Sequence, residues 1–153
     1  MTVNEMYSQL TLKKDQLGIY YYFGIIQLSG GLRVSEVLNI KAHDLIPYQT
    51  IFIKGLKGSQ SKRVYVPECE YFIRKCLRSN LEPFKGISRF MVYRLYKRLG
   101  FVILKGNGTR NAVTHSIRKQ AIKELHASTR NIKDTASAIG HKSSKSTEYY
   151  VKR

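Results

Sequence analysis

Ile19-Tyr20-Tyr21-Tyr22-Phe23-Gly24-Ile25-Ile26-Gln27-Leu28-Ser29-Gly30-Gly31-Leu32-Arg33-Val34-Ser35-Glu36-Val37-Leu38 sets the architecture. Asp15 supplies an N-cap for a helix running to about Leu28, and Gly30-Gly31 closes it. From Ile19 to Ile26 the residues are almost all apolar or aromatic, so this helix is expected to be deeply buried. A second helix follows the glycines, starting near Arg33 or Val34, with Val37, Leu38 and Ile40 turned inward. A buried helix that ends on glycine and delivers an arginine straight after the turn is the organising feature.

Outward from that turn, Ile51-Phe52-Ile53 reads as a short strand. Val64-Tyr65-Val66 is its partner, stopped by Pro67. The segment between them carries Gly55 and Gly58 and forms the hairpin tip. A helix is expected from about Glu68 to Arg78. Ser88 caps another through Leu99, with Gly100 at its end; its apolar stripe is Met91, Val92, Leu95 and Leu99. Tyr93 and Tyr96 fit packing and DNA contact equally well. After a loop at Lys105-Gly106-Asn107-Gly108, Thr114 caps a helix from about His115 to Leu125, and a last short helix spans Asn131 to Ile139. The expected class is α+β, mostly α-helical with a small antiparallel sheet, in one domain over residues 1–153.

The charge is one-sided. Lysine and arginine number 27 against 10 acids, a net +17, which favours a polyanionic partner. Between Glu82 and Glu124 no acid occurs, while basic residues from Lys85 to Lys123 recur throughout; a merely solvated surface mixes signs. No apolar run is long enough to span a membrane, and residues 1–14 carry no signal-peptide segment, so a cytoplasmic, nucleoid-associated location is expected. Cys69 and Cys76 match neither a zinc spacing nor a disulfide framework and read as packing residues.

Which phosphate chemistry fits? The acids are scattered, and their closest pair, Glu68 and Glu70, sits at a helix start, where acids complement the dipole. A carboxylate-held two-metal site is therefore not expected, nor is a phosphate-binding P-loop. No metal or cofactor is expected. The remaining route uses cationic side chains to stabilise the transition state and a side chain as nucleophile. His115 and Arg118 are three apart at a helix start, hence on one face. Arg33 follows the glycine turn, and Tyr150 lies nine residues after His141.

Taken together and in order, these residues resemble the catalytic domain of the tyrosine recombinase (phage integrase) family. The matching segments are Gly31-Leu32-Arg33-Val34-Ser35-Glu36, Lys57-Gly58 before Val64-Tyr65-Val66-Pro67, His115-Ser116-Ile117-Arg118, and Ile139-Gly140-His141 with Tyr150. They cover the chain from about Asp15 onward. The resemblance implies site-specific strand cleavage and rejoining through a 3′-phosphotyrosyl link. Tyr150 would be the nucleophile, with Tyr149 as competitor. Arg33 and Arg118 would grip the non-bridging phosphate oxygens, Lys57 would protonate the leaving 5′-oxygen, with Lys54 and Lys62 as alternatives on the same hairpin, and His115 and His141 would assist at the tyrosine and the phosphate. Glu36 would orient Arg33 and the nearby histidine.

Lys54, Lys62, Arg63, Arg94, Lys97, Arg98 and Lys119 are the expected DNA contacts. His43 and His126 match no segment and read as surface residues. The implied partner is double-stranded DNA, with self-association as a tetramer on DNA in the full-length protein. Type IB topoisomerase action and non-catalytic DNA binding are the rival readings. The family's N-terminal DNA-clamping domain is absent from 1–153, which suggests an excised catalytic fragment. With so little chain after it, Tyr150 is expected to stand away from Arg33 and Arg118 when DNA is absent.

Overall fold

The computed structural model describes residues 2–45, 49–101 and 116–129. Helix α1 spans Val3–Leu12, α2 Lys14–Leu17, α3 Ile19–Gly30 and α4 Val34–Leu38. A 3-10 turn at Ala42–Leu45 leads to strand β1, Thr50–Ile53, which pairs antiparallel with β2, Lys62–Tyr65. A 3-10 turn at Pro67–Cys69 precedes α5, Glu70–Ser79; α6 is Arg89–Leu99 and α7 Ser116–Thr129. The mostly helical reading with one small antiparallel sheet therefore stands.

The N-terminus adds one helix and corrects one expectation. The polar residues 3–12 form a helix, because Thr2 accepts from the Glu5 backbone N–H while Glu5 reaches back to the Thr2 N–H, a reciprocal cap. Met6 and Leu10, one turn apart, are fully buried. The buried central helix does not start from Asp15. Asp15 lies in the single turn α2, and Gly18, at φ 57°, breaks the chain before Ile19.

Helix α3 is the core. Tyr21, Phe23, Ile25, Ile26 and Leu28 are all buried, and α1 packs closely across it. A Cβ at Gly24 would lie 2.7 Å from Leu10 Cδ1, so the Leu10 side chain would have to shift to admit it. The backbone N–H of Val3 donates to Glu124 at 2.7 Å, tying α1 to α7. The sheet adds Ile51, Ile53 and Val64 to the core from one face, in the register Ile51↔Val64 and Ile53↔Lys62. Among the described residues no helix is long and apolar enough to cross a membrane.

Helix α6 begins and ends where the sequence indicates. Ser88 Oγ accepts from the Met91 N–H and Gly100 caps in the left-handed region. Its buried side holds Val92, Leu95, Tyr96 and Leu99, whereas Met91 is exposed. Tyr96 is thus a packing residue. Its hydroxyl donates to Gln27 Oε1 at 2.6 Å, and Gln27 Nε2 donates to the Leu32 carbonyl at 3.0 Å. Cys69 and Cys76 are buried free thiols. Burial pushes Cys69 up to about 12 and raises Cys76 as well, which keeps both protonated and inert.

Candidate active site

The site grows from the end of α3. Gly31 takes the left-handed conformation, φ 60° and ψ 40°, and its N–H and that of Leu32 return to the last α3 carbonyls, a glycine-terminated helix end. Arg33 follows as the N-cap of α4. Glu36, three residues on, accepts from the Arg33 backbone N–H at 2.9 Å and from the Leu56 N–H at 3.2 Å. Local capping thus aims the arginine and ties its turn to the β1–β2 tip.

Arg118, on the first turn of α7, meets the same carboxylate. Glu36 lies 3.8 Å from Arg33 Nη1 and 3.6 Å from Arg118 Nη1. Arg118 Nη1 also donates to the Gly31 carbonyl at 2.8 Å. All three side chains are buried, Arg118 to 1% exposure. Arg33 and Arg118, 85 positions apart in the chain (118 minus 33), therefore converge on one buried carboxylate. Glu36 meets Arg33, as expected, and Arg118 in addition; the histidine it was expected to orient lies outside the described residues.

The β1–β2 segment completes the cluster. Leu56–Ser59 is a tight turn, with the Ser59 N–H on the Leu56 carbonyl at 3.1 Å and positive φ at Lys57 and Gly58. This turn presents backbone to the arginines: Arg33 donates to the Leu56 carbonyl at 2.9 Å and the Lys57 carbonyl at 3.3 Å. The Ser59 hydroxyl accepts from Arg33 Nη1 and, at 3.2 Å, from Arg118 Nη2. Sequence reading did not find Ser59; it appears only as a small residue of a turn, with no periodicity to mark it as buried.

The two hairpin lysines stand in different settings. Lys57 is exposed at the tip, and its carbonyl is what meets Arg33. Lys62 is part-buried and its Nζ donates to the Gly30 carbonyl at 2.7 Å. Lys62 and Arg118 thereby hold consecutive carbonyls at the C-terminus of α3, the favourable end for cations. Lys54, Arg63, Arg94, Lys97 and Arg98 are exposed, as DNA contacts need to be. Arg94 lies over the Phe90 ring and Lys97 over the Tyr93 ring at 5.8 and 6.0 Å, so α6 offers an exposed face of rings and cations. Lys119 is a correction: it is only 3% exposed, because α7 turns it inward beside Arg118. His43 is exposed, as read from the sequence.

The expectations for Thr114, His115, His141, Tyr149 and Tyr150, the loop at 105–108 and the helix at 131–139 lie outside the described residues. Among the described residues, no three His, Cys, Asp or Glu side chains gather in a metal-holding group.

Lys62 gives a pH-dependent prediction. Its amine is lowered from 10.5 to about 8, first by burial and then by the Arg118 charge, with Glu36 opposing. Below about pH 8 the amine is charged in both folded and unfolded chains, and the folded chain bears the full penalty. Above that the folded chain gives up the proton first. The unfolded chain binds more protons, so this group's contribution to stability rises with pH until the ordinary lysine range. The difference in unfolding free energy between wild type and Lys62→Met should therefore shift in favour of wild type by up to about 3 kcal/mol across that window. Urea denaturation at steps between pH 7.5 and 10.5 measures it. A difference that stays flat would mean the amine is solvated.

The fold is that of the tyrosine recombinases. No protein-family model matches the chain, and neither does any curated protein. Among solved structures, XerA recombinase superposes at a TM-score of 0.65 with 17% identity, over 96% of this chain and 58% of that one. XerH site-specific recombinase in a pre-cleavage complex with difH substrate gives 0.65 and 18%, over 98% of this chain and 49% of XerH. Its post-cleavage complex with palindromic difH gives 0.62 and 18%, over 98% and 48%. The chain thus spans roughly half the length of these proteins.

Proposed function

We propose that this chain is the catalytic part of a site-specific DNA recombinase that cuts and rejoins duplex DNA through a phosphotyrosine link. The observation that carries this reading is the buried cluster of two guanidiniums on one carboxylate, with Lys62 alongside. Such an excess of buried positive charge favours an anion. It lies in a fold shared with recombinases, two of whose structures contain their DNA substrate.

In this reading Arg33 and Arg118 bind the two non-bridging oxygens of the scissile phosphate, a task suited to the fixed fork of arginine. Tyr150 attacks phosphorus, the bond to the 5′-oxygen breaks, and a lysine supplies that oxygen with a proton. By the resemblance the donor is Lys57; Lys62 is its rival because its amine titrates near neutral pH, where a general acid is most effective. By the resemblance His115 takes the proton that the Tyr150 hydroxyl gives up, and His141 bonds a phosphate oxygen. Lys54, Arg63 and the exposed face of α6 would hold the duplex, mostly through phosphates. Self-association on DNA and a nucleoid location belong to the same proposal.

The test is a nicked duplex substrate in chelator. The expected product is a denaturant-resistant protein–DNA adduct whose DNA-bearing peptide contains Tyr150. A peptide bearing DNA at Tyr149 would move the nucleophile by one residue. Absence of any adduct on every target tried with the full-length protein would leave a DNA-binding module. Exchange between two target sites, as opposed to relaxation of a supercoiled plasmid, separates a recombinase from a topoisomerase.

A further inference from the structure

Arg33 and Arg118 are buried, and besides the Glu36 carboxylate a neutral group touches both of them: the hydroxyl of Ser59. Ser59 is itself buried, at 5% exposure, although it belongs to a hairpin tip whose neighbours Lys57, Gly58 and Gln60 are exposed. The tip folds back to put it there. Lys57 and Gly58 both take positive φ to make the turn, and the Gly55 N–H is held by Ser61 Oγ at 3.1 Å. A Cβ on Gly55 would collide with the Ser59 carbonyl oxygen, so only glycine allows this closure.

We propose that Ser59 is an internal occupant of the anion site: its hydroxyl, with the Leu56 and Lys57 carbonyls, holds the arginine donors that a phosphate must take, and the β1–β2 tip must lift for the site to fill. This rests on the reading of Arg33 and Arg118 as phosphate-binding residues. The exchange is favourable in direction, since guanidinium bonds to a charged oxygen are about twice as strong as those to a neutral one. It is also selective. A ligand with one anionic oxygen gains little for displacing three acceptors, whereas a phosphodiester replaces Ser59 at both arginines at once. The tip that has to move carries Lys57, so entry of a phosphate would also release the exposed lysine from its present turn.

The experiment uses inorganic phosphate as probe, followed by the side-chain N–H signals of nitrogen-15-labelled arginine in the whole chain. Ser59→Ala is expected to bind phosphate about tenfold more tightly than wild type, the range for losing a competing hydrogen bond to a charged group. Gly55→Ala, which opens the tip by pushing on the Ser59 backbone while keeping the Ser59 hydroxyl, should shift affinity the same way. Arg33→Ala should abolish binding in each background. Unchanged or weaker binding in Gly55→Ala or in a folded Ser59→Ala, while Arg33 is still required, overturns the occupant role and leaves phosphate binding intact. Arg33-independent binding, or none of phosphate or of a random duplex by any variant, overturns both readings.

Discussion

Glu36→Gln is expected to cost about 3–5 kcal/mol of folding stability, the range for removing one partner from a buried ion pair. The substitution keeps the size of the side chain and changes one oxygen to an amide. That oxygen has work on either side. One carboxylate oxygen accepts from the Arg33 N–H and lies nearest Arg118, and the other accepts from the Leu56 N–H and lies nearest Arg33. Whichever way the amide is flipped, an NH2 group faces a donor, and two buried guanidiniums lose their shared negative charge. The melting temperature should fall by roughly 10 °C, on the scaling for a chain of this size. Sulfate should restore more stability to the variant than to wild type, because an added anion replaces the missing charge. Thermal melts at increasing sulfate and fixed ionic strength measure both effects. A loss under about 1 kcal/mol, or equal recovery in the two proteins, would show that the cluster is solvated.

Tyr150→Phe is expected to leave DNA binding intact and remove adduct formation entirely. The change deletes one oxygen, the atom that would bond to phosphorus. Loss of a covalent nucleophile typically costs several orders of magnitude. Electrophoretic shift on a random duplex should agree with wild type within about twofold, since phosphate contacts from the basic faces supply that affinity. Tyr149→Phe is the control and should still form the adduct. An adduct that survives Tyr150→Phe and disappears in Tyr149→Phe would reassign the nucleophile. Both variants failing to bind duplex would point to a role for this segment in docking.

Much of the scaffold was legible because it is written in local rules. Ser88 and Gly100 bracket α6, alternation marks β1 and β2, and Gly30-Gly31 ends α3 before Arg33. Helix α1 was equally local, since Thr2 and Glu5 are a visible capping pair, but its sparse apolar residues Met6 and Leu10 hid it among polar neighbours. The start of α3 was misplaced because Asp15 resembles a cap, while Gly18 makes the actual break. Gln27 follows the apolar run of α3 with no pattern to mark it; it is a buried bridge whose partners, Leu32 and Tyr96, come from separate parts of the chain. The arginine positions were readable from their motifs. Their enclosure by Ser59 and the inward turn of Lys119 were not, because burial at a hairpin tip or on a basic helix depends on contacts distant in sequence.

The Gln27 bridge has a mechanical consequence. Tyr96 sits on the inner side of α6, whose outer side bears the exposed rings and cations, and it is linked through Gln27 to the carbonyl of Leu32, the residue before Arg33. The exposed face of α6 and the arginine turn are therefore two ends of one short strut. A shift of α6 would pull on the turn at the same moment, so the seat of that helix and the aim of Arg33 are mechanically joined.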